Sequence, residues 1–144
     1  MLEVRSPDNA DEWRAYYALR YRVLRQPLGR PPGSERDALE EHSTHRMICD
    51  PTGKVLAVGR MHDAGDQTAQ IRYMAVAVAQ QRRGCGSRML QALEQKAATL
   101  GASRIVLDAR EAALGFYARQ GYSAEGPGHM LYNSISHIRM RKTL

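Results

Sequence analysis

Gln81-Arg82-Arg83-Gly84-Cys85-Gly86-Ser87 separates two runs of different periodicity. Before it lies a strand-like run from Tyr73 to Ala79. After it Met89, Leu90, Leu93, Ala97 and Leu100 recur at the spacing of a helix that begins near Ser87. Such a junction exposes several main-chain N–H groups together, because the first helical turn leaves its amides unpaired and its dipole favours negative charge. Two glycines let a ligand approach the main chain, and Arg82, Arg83 and Arg88 supply cationic charge. The stretch therefore reads as a seat for a pyrophosphate. A Walker A loop is excluded because no Gly-Lys-Ser/Thr follows, and a Rossmann fingerprint lacks its third glycine. Taken alone, the same residues are also a glycine turn opening an ordinary basic helix.

Working outward, Leu2 to Arg5 alternates as a short strand. Asn9 with Glu12 resembles a capping box, and Trp13, Tyr17, Tyr21 and Leu24 keep helical spacing, which predicts a helix over 9–25. Pro27, Pro31 and Pro32 make 26–34 a loop. Ser34 to Glu41 is expected to form a short acidic helix. Arg46 to Cys49 and Val55 to His62, joined by a turn at Asp50 to Gly53, begin a meander that Gln70 to Val78 continues. Gly101 closes the helix after the glycine loop. Arg104 to Asp108 reads as a buried strand. Asp108 with Glu111 suggests another cap before a helix that carries Ala113, Phe116, Tyr117 and Gln120 and stops at Gly121. Tyr122 to Glu125 and Ile135 to Met140 are the last strands, around a polar, glycine-rich loop. The order β-α-α-β-β-β-α-β-α-β-β predicts an α/β (α+β) domain over 1–144. Its mixed sheet has helices on both faces, and the crossover from strand 70–78 to strand 104–108 is parallel and right-handed.

The chain has 144 residues, which fits one core, and its net charge of +6 attracts anions, nucleotide cofactors and nucleic acid alike. Neither a secretory segment nor an apolar run of membrane length is visible, so the cytosol is the default location and no membrane partner is expected. Cys49 and Cys85 fit neither a disulfide framework nor a metal spacing and read as structural thiols. At a helix start, Cys85 also carries a lesser redox reading. His129 and His137 lack a third ligand, so no metal is expected, and His137 reads as a packing residue.

The element order, Tyr73-Met74-Ala75-Val76 with Gln-x-x-Gly-x-Gly at 81–86, and Ala113 to Tyr122 together resemble the GNAT superfamily of acyl-CoA-dependent N-acyltransferases. The resemblance covers residues 55–144 well and the first third by order of elements. It implies a largely antiparallel sheet of six to seven strands with a splayed parallel pair. It implies acetyl-CoA as co-substrate, with its phosphates at Gln81, Arg82, Arg83, Gly84, Cys85, Gly86 and Ser87 and its pantetheine along Met74, Ala75 and Val76. Tyr117 matches the tyrosine that protonates the leaving thiolate in many members, and the Val76 amide matches a donor to the oxyanion. Arg110 stands where many members carry an asparagine that contacts pantetheine, and Val78 stands where proline is common.

The implied reaction is direct attack of an amine on a thioester, which requires the amine to lose a proton first. Glu40, Glu41, His62 and Tyr73 are candidate bases. Glu35, Asp37, Glu40 and Glu41 near the presumed mouth hint at a cationic small-molecule or peptide amine, and a solvated acidic helix explains them equally. The loops 25–41 and 126–134 are expected to face each other across the acceptor site. A homodimer through the C-terminal strands is plausible. Two other readings remain, an acyl-CoA sensor without turnover and, more weakly, a basic nucleic-acid-binding module.

Overall fold

Asn9 opens the first helix as its side chain suggests: Oδ1 accepts the Glu12 amide at 2.9 Å. The computed structural model describes residues 1–144. Its elements in chain order are β1 (Glu3–Arg5), α1 (Ala10–Leu24), β2 (Thr44–Cys49), β3 (Val55–Gly65), β4 (Thr68–Val76), α2 (Cys85–Thr99), β5 (Arg104–Arg110), α3 (Leu114–Arg119), β6 (Ser123–Leu131) and β7 (Ile135–Thr143). They form one sheet in the order β1-β2-β3-β4-β5-β7-β6. Every pairing is antiparallel except β4 with β5. No helix is long and apolar enough to cross a membrane.

The two faces of the sheet carry different cores. Tyr16 and Leu19 of α1 pack on Met47, Cys49, Val58 and Ala75. On the other face Met89, Leu90 and Leu93 of α2 pack on Ile48, Ala57, Ile71, Ile105 and Leu107, and Phe116 and Tyr117 of α3 flank that cluster. Strand residues of opposite parity therefore serve opposite helices, as the period of two requires. Leu93 is fully buried, and truncating it to alanine would cost about 2–5 kcal/mol.

Strand β4 breaks this parity once. Arg60 of β3 pairs with Arg72, and Val58 pairs with Ala75. Gly59 thus stands opposite both Tyr73 and Met74, and Tyr73 takes φ 60°. This is a β-bulge with a non-glycine residue in the left-handed region, a conformation that costs about 1–3 kcal/mol. Ala69 and Ile71 belong to the α2 core, and beyond the bulge so do Met74 and Val76. The pairing of β4 with β5 ends at Ile71 and Leu107, although β4 runs on to Val76 and β5 to Arg110. The two strands part there and leave a cleft.

The expected helix at Ser34 to Glu41 does not form; the segment is a set of turns ending in a 3-10 turn at Glu40–His42. Its acidic side chains bond its own backbone instead. Glu35 Oε1 accepts the Gly33 amide at 2.8 Å, Asp37 Oδ1 accepts the Leu39 amide at 2.9 Å, and Glu40 Oε2 accepts the Asp37 amide at 3.1 Å. Such local bonds compete with a helix for the same donors. Asp108 caps no helix, because Arg139 Nε donates to it at 3.1 Å within the sheet. A 3-10 turn at Glu111–Ala113 precedes α3 instead. The polar loop expected after Glu125 is strand to Leu131, and Tyr132 and Asn133 make the hairpin with φ 53° and 55°.

Candidate active site

The parting of β4 from β5 opens a cavity of about 340 Å³ lined by Tyr73 and Met74 of β4, Leu107 to Arg110 of β5, and Tyr117 of α3. Leu24 and Arg25 close it from the end of α1, and His129, Leu131 and His137 from the last hairpin. The sheet supplies the walls, and the bulge aims Met74 inward.

At the other end of β4 lies the glycine loop. Arg82 takes φ 65° and Gly84, the N-cap of α2, takes φ 87°, so the chain turns sharply into the helix with a residue that has no Cβ to clash. None of the amides from Arg82 to Ser87 donates to a main-chain acceptor; the first inward bond of the helix is Arg88 N–H to the Gly84 carbonyl at 3.1 Å. Arg82, Arg83 and Arg88 are exposed around these amides. Gly86 serves packing instead of ligand approach, because a Cβ there would stand 3.1 Å from the Phe116 ring. Ser87 Oγ accepts from Gln120 Nε2 at 3.0 Å, which ties α3 to the loop. Cys85 is buried in the core, in keeping with a structural thiol.

Between loop and cavity, Met74, Ala75 and Val76 present a free edge. Ala77 N–H donates to Leu56 O at 2.8 Å, so by strand alternation the Val76 N–H points out of the opposite edge, into the cleft. The Val76 carbonyl on that edge accepts from Gln81 Nε2 at 3.2 Å. A strand edge of this kind can pair with the amides of an extended ligand, and helix-start amides beyond it can hold an anion.

Tyr117 Oη donates to Met74 Sδ at 3.7 Å, which brings the phenol to the edge of the bulge. Burial pushes this phenol up to about 12. His137 Nδ1 lies 3.0 Å from the His129 carbonyl and 3.2 Å from the Ile135 carbonyl. Two carbonyl acceptors require Nδ1 to carry the proton, which leaves the Nε2 lone pair open. Burial pulls the imidazole below its ordinary value, opposed by those two hydrogen bonds and reinforced by the Arg110 charge.

Three of the four candidate bases fall elsewhere. Glu40 accepts from Arg20 at 2.9 Å and Arg60 at 2.7 Å, and His62 lines a separate cavity beside the end of α2. Glu41 is exposed and absent from the cavity wall. Tyr73 does reach the wall, with burial pushing its phenol up despite four nearby guanidinium groups. The acidic segment is likewise no mouth for a cation. Glu35 is buried, and Asp37 is engaged by Arg60 and Arg72. Sequence reading missed the inward placement of Arg25 and of the two histidines, because it depends on how the last hairpin folds over β5.

A family model described as acetyltransferase (GNAT) family matches residues 8–122. The uncharacterized N-acetyltransferase YjcF of Bacillus subtilis (strain 168) is 28% identical over 134 residues, 93% of this chain and 94% of that one. The fold matches an acyl-CoA N-acyltransferase from Pseudomonas aeruginosa with TM-score 0.81 at 23% identity, over 99% of each chain. It also matches an aminoglycoside 6'-N-acetyltransferase complexed with coenzyme A, with TM-score 0.82 at 15% identity over 99% of this chain and 96% of that one. The family match spans the bulged strand, the glycine loop and the Tyr117 helix together, and the chain is an acyltransferase that belongs to the GNAT family.

Proposed function

We propose that the protein transfers an acetyl group from acetyl-CoA to the primary amine of a small acceptor by direct attack on the thioester. The observation that carries this reading is the alignment of three features along one path: unpaired amides at Arg82 to Ser87, the free β4 edge at Met74 to Val76, and Tyr117 against Met74. The amides and the surrounding arginines suit a pyrophosphate. The β4 edge suits the two amides of pantetheine, with Gln81 yielding the Val76 carbonyl. The Val76 N–H is then the donor to the oxyanion that forms on the carbonyl.

His137 fits the base that the reaction needs. An amine with pKa about 10 must shed a proton before it attacks, and a neutral imidazole with an open Nε2 can accept it. As the C–N bond forms and the C–S bond breaks, the leaving sulfur needs a partner. Tyr117 stays protonated at neutral pH and donates a hydrogen bond there. Complete transfer from a phenol at about 12 to the thiolate of a more acidic thiol is uphill alone, and the proton released by the amine balances it.

The test is thiol release from acetyl-CoA over a panel of amines, with calorimetry for CoA. Tyr117→Phe is expected to lower kcat about 10²- to 10⁴-fold with CoA affinity kept, and His137→Gln to lower kcat/KM on a similar scale. CoA binding without release on any amine leaves a sensor, and no CoA binding at low salt removes the proposal.

A further inference from the structure

Arg25 is 3% exposed, and no carboxylate bonds it. Its Nε donates to the Ser34 carbonyl at 3.1 Å and its Nη1 to the Leu24 carbonyl at 3.1 Å. Arg110 Nη2 reaches the same Leu24 carbonyl at 3.4 Å and has no other bond within the chain. Two guanidinium groups thus converge on one oxygen, both line the cavity, and each repels the other. The remaining charges on the wall do not compensate them. Asp108 accepts from Arg139 at 3.1 Å, and Arg72 is taken by Asp37 at 3.1 Å. A buried cation without a counter-ion is costly, and a half-buried second one beside it adds to the cost unless an anion stands between them.

That anion is not a phosphate of CoA on the path above, because none of the loop residues from Gln81 to Ser87 lines this cavity. Pantetheine and an acetyl group carry no charge. The charge must therefore come from the acceptor or from a longer acyl chain. The open hydrogen-bonding positions on Arg25 and Arg110 suit the two oxygens of a carboxylate, the geometry in which arginine binds most strongly. His137 lines the same cavity as the cross-strand partner of Arg110, so the amine of the same molecule would lose its proton beside the carboxylate.

We propose that Arg25 and Arg110 hold the carboxylate of the acceptor, so that the substrate is a small amino-acid-like amine. This rests on the acyl-transfer reading above and reverses the cationic acceptor that the acidic segment suggested. The test compares free amino acids with their carboxamides and their decarboxylated amines, by thiol release from acetyl-CoA, in the wild type and in Arg110→Gln. The wild type is expected to prefer the carboxylate, and Arg110→Gln to reduce that preference ratio by about 10- to 100-fold. Arg25→Gln serves as a second variant, with melting curves to confirm folding. Equal rates on carboxylate and carboxamide in the wild type overturn the proposal while leaving acetyl transfer intact. So does a preference for succinyl-CoA over acetyl-CoA that Arg110→Gln abolishes, since the carboxylate would then be the donor's. Failure of every amine overturns both readings, and retained CoA binding then marks the fault as catalytic.

Discussion

The chain buries arginines in two neighbouring places and treats them in opposite ways. Beneath α1, Arg20 and Arg60 are fully buried, yet each is met by acids. Arg20 donates to Glu40 and to the Glu35 carbonyl, and Arg60 to Asp37 and Glu40. In the cavity, Arg25 and Arg110 donate to carbonyl oxygens alone, and Arg25 also stands over the rings of Tyr73 and Tyr132, so neither meets a carboxylate. The first arrangement meets its charge with carboxylates of the protein, although the buried Nε of each arginine has no acceptor, and the second is open toward whatever enters. Buried charge by itself does not distinguish scaffold from site; the identity of its partner does.

Breaking the closed network should produce the largest effect. Glu40→Ala strips a carboxylate from both Arg20 and Arg60, and urea unfolding should report a loss of about 3–5 kcal/mol. A loss below about 1 kcal/mol would mean that the network does not hold residues 34–41. The open pair should respond with the other sign: Arg110→Met removes an unpaired, half-buried charge and is expected to change stability by less than about 1 kcal/mol, or to raise it. A loss as large as that of Glu40→Ala would erase the distinction between the two regions.

An effect on acid separates the two regions as well. Burial raises the Asp37 carboxyl, but hydrogen bonds from Arg60 and from the Leu39 amide, with the charge of Arg60 and Arg72, bring it down to about 2. A folded value below the unfolded one, about 3.9, means that its stabilisation is present above pH about 4 and is lost as pH falls toward 2. Asp37→Asn should flatten the stability profile in that window. Arg110→Met removes no carboxyl that titrates in that window and should leave the shape of the profile unaltered.

Much of the scaffold was legible because its signals are local. Asn9 caps α1, Gly101 follows the end of α2 with φ 93°, and the glycine loop turns into the helix at Gly84 with φ 87°. Glu12 departs in detail, accepting the Asp8 amide at 2.8 Å instead of that of Asn9. The local structure of the proposed donor half was legible for the same reason, since strand, loop and helix follow one another in sequence. The proposed acceptor half was not. It brings Arg25, Arg110 and His137 together from three distant segments, and pairing across the sheet decides which way each points. The acidic segment was misread because composition reports charge, whereas its carboxylates are spent on Arg20, Arg60 and its own backbone. Nothing in the letters of Tyr73 announces a left-handed backbone, a state that turn residues usually supply.

That one dihedral acts on β4 as a single inserted letter acts on a reading frame. Upstream of Tyr73 the strand is read in the phase of its neighbours, and downstream every residue is read one face out. Deleting Tyr73 would leave Met74 alone opposite Gly59 and Val76 still opposite Ala57, each on the α2 side where it now stands, and would let β4 run straight beside β5 across the space that Tyr117 now faces.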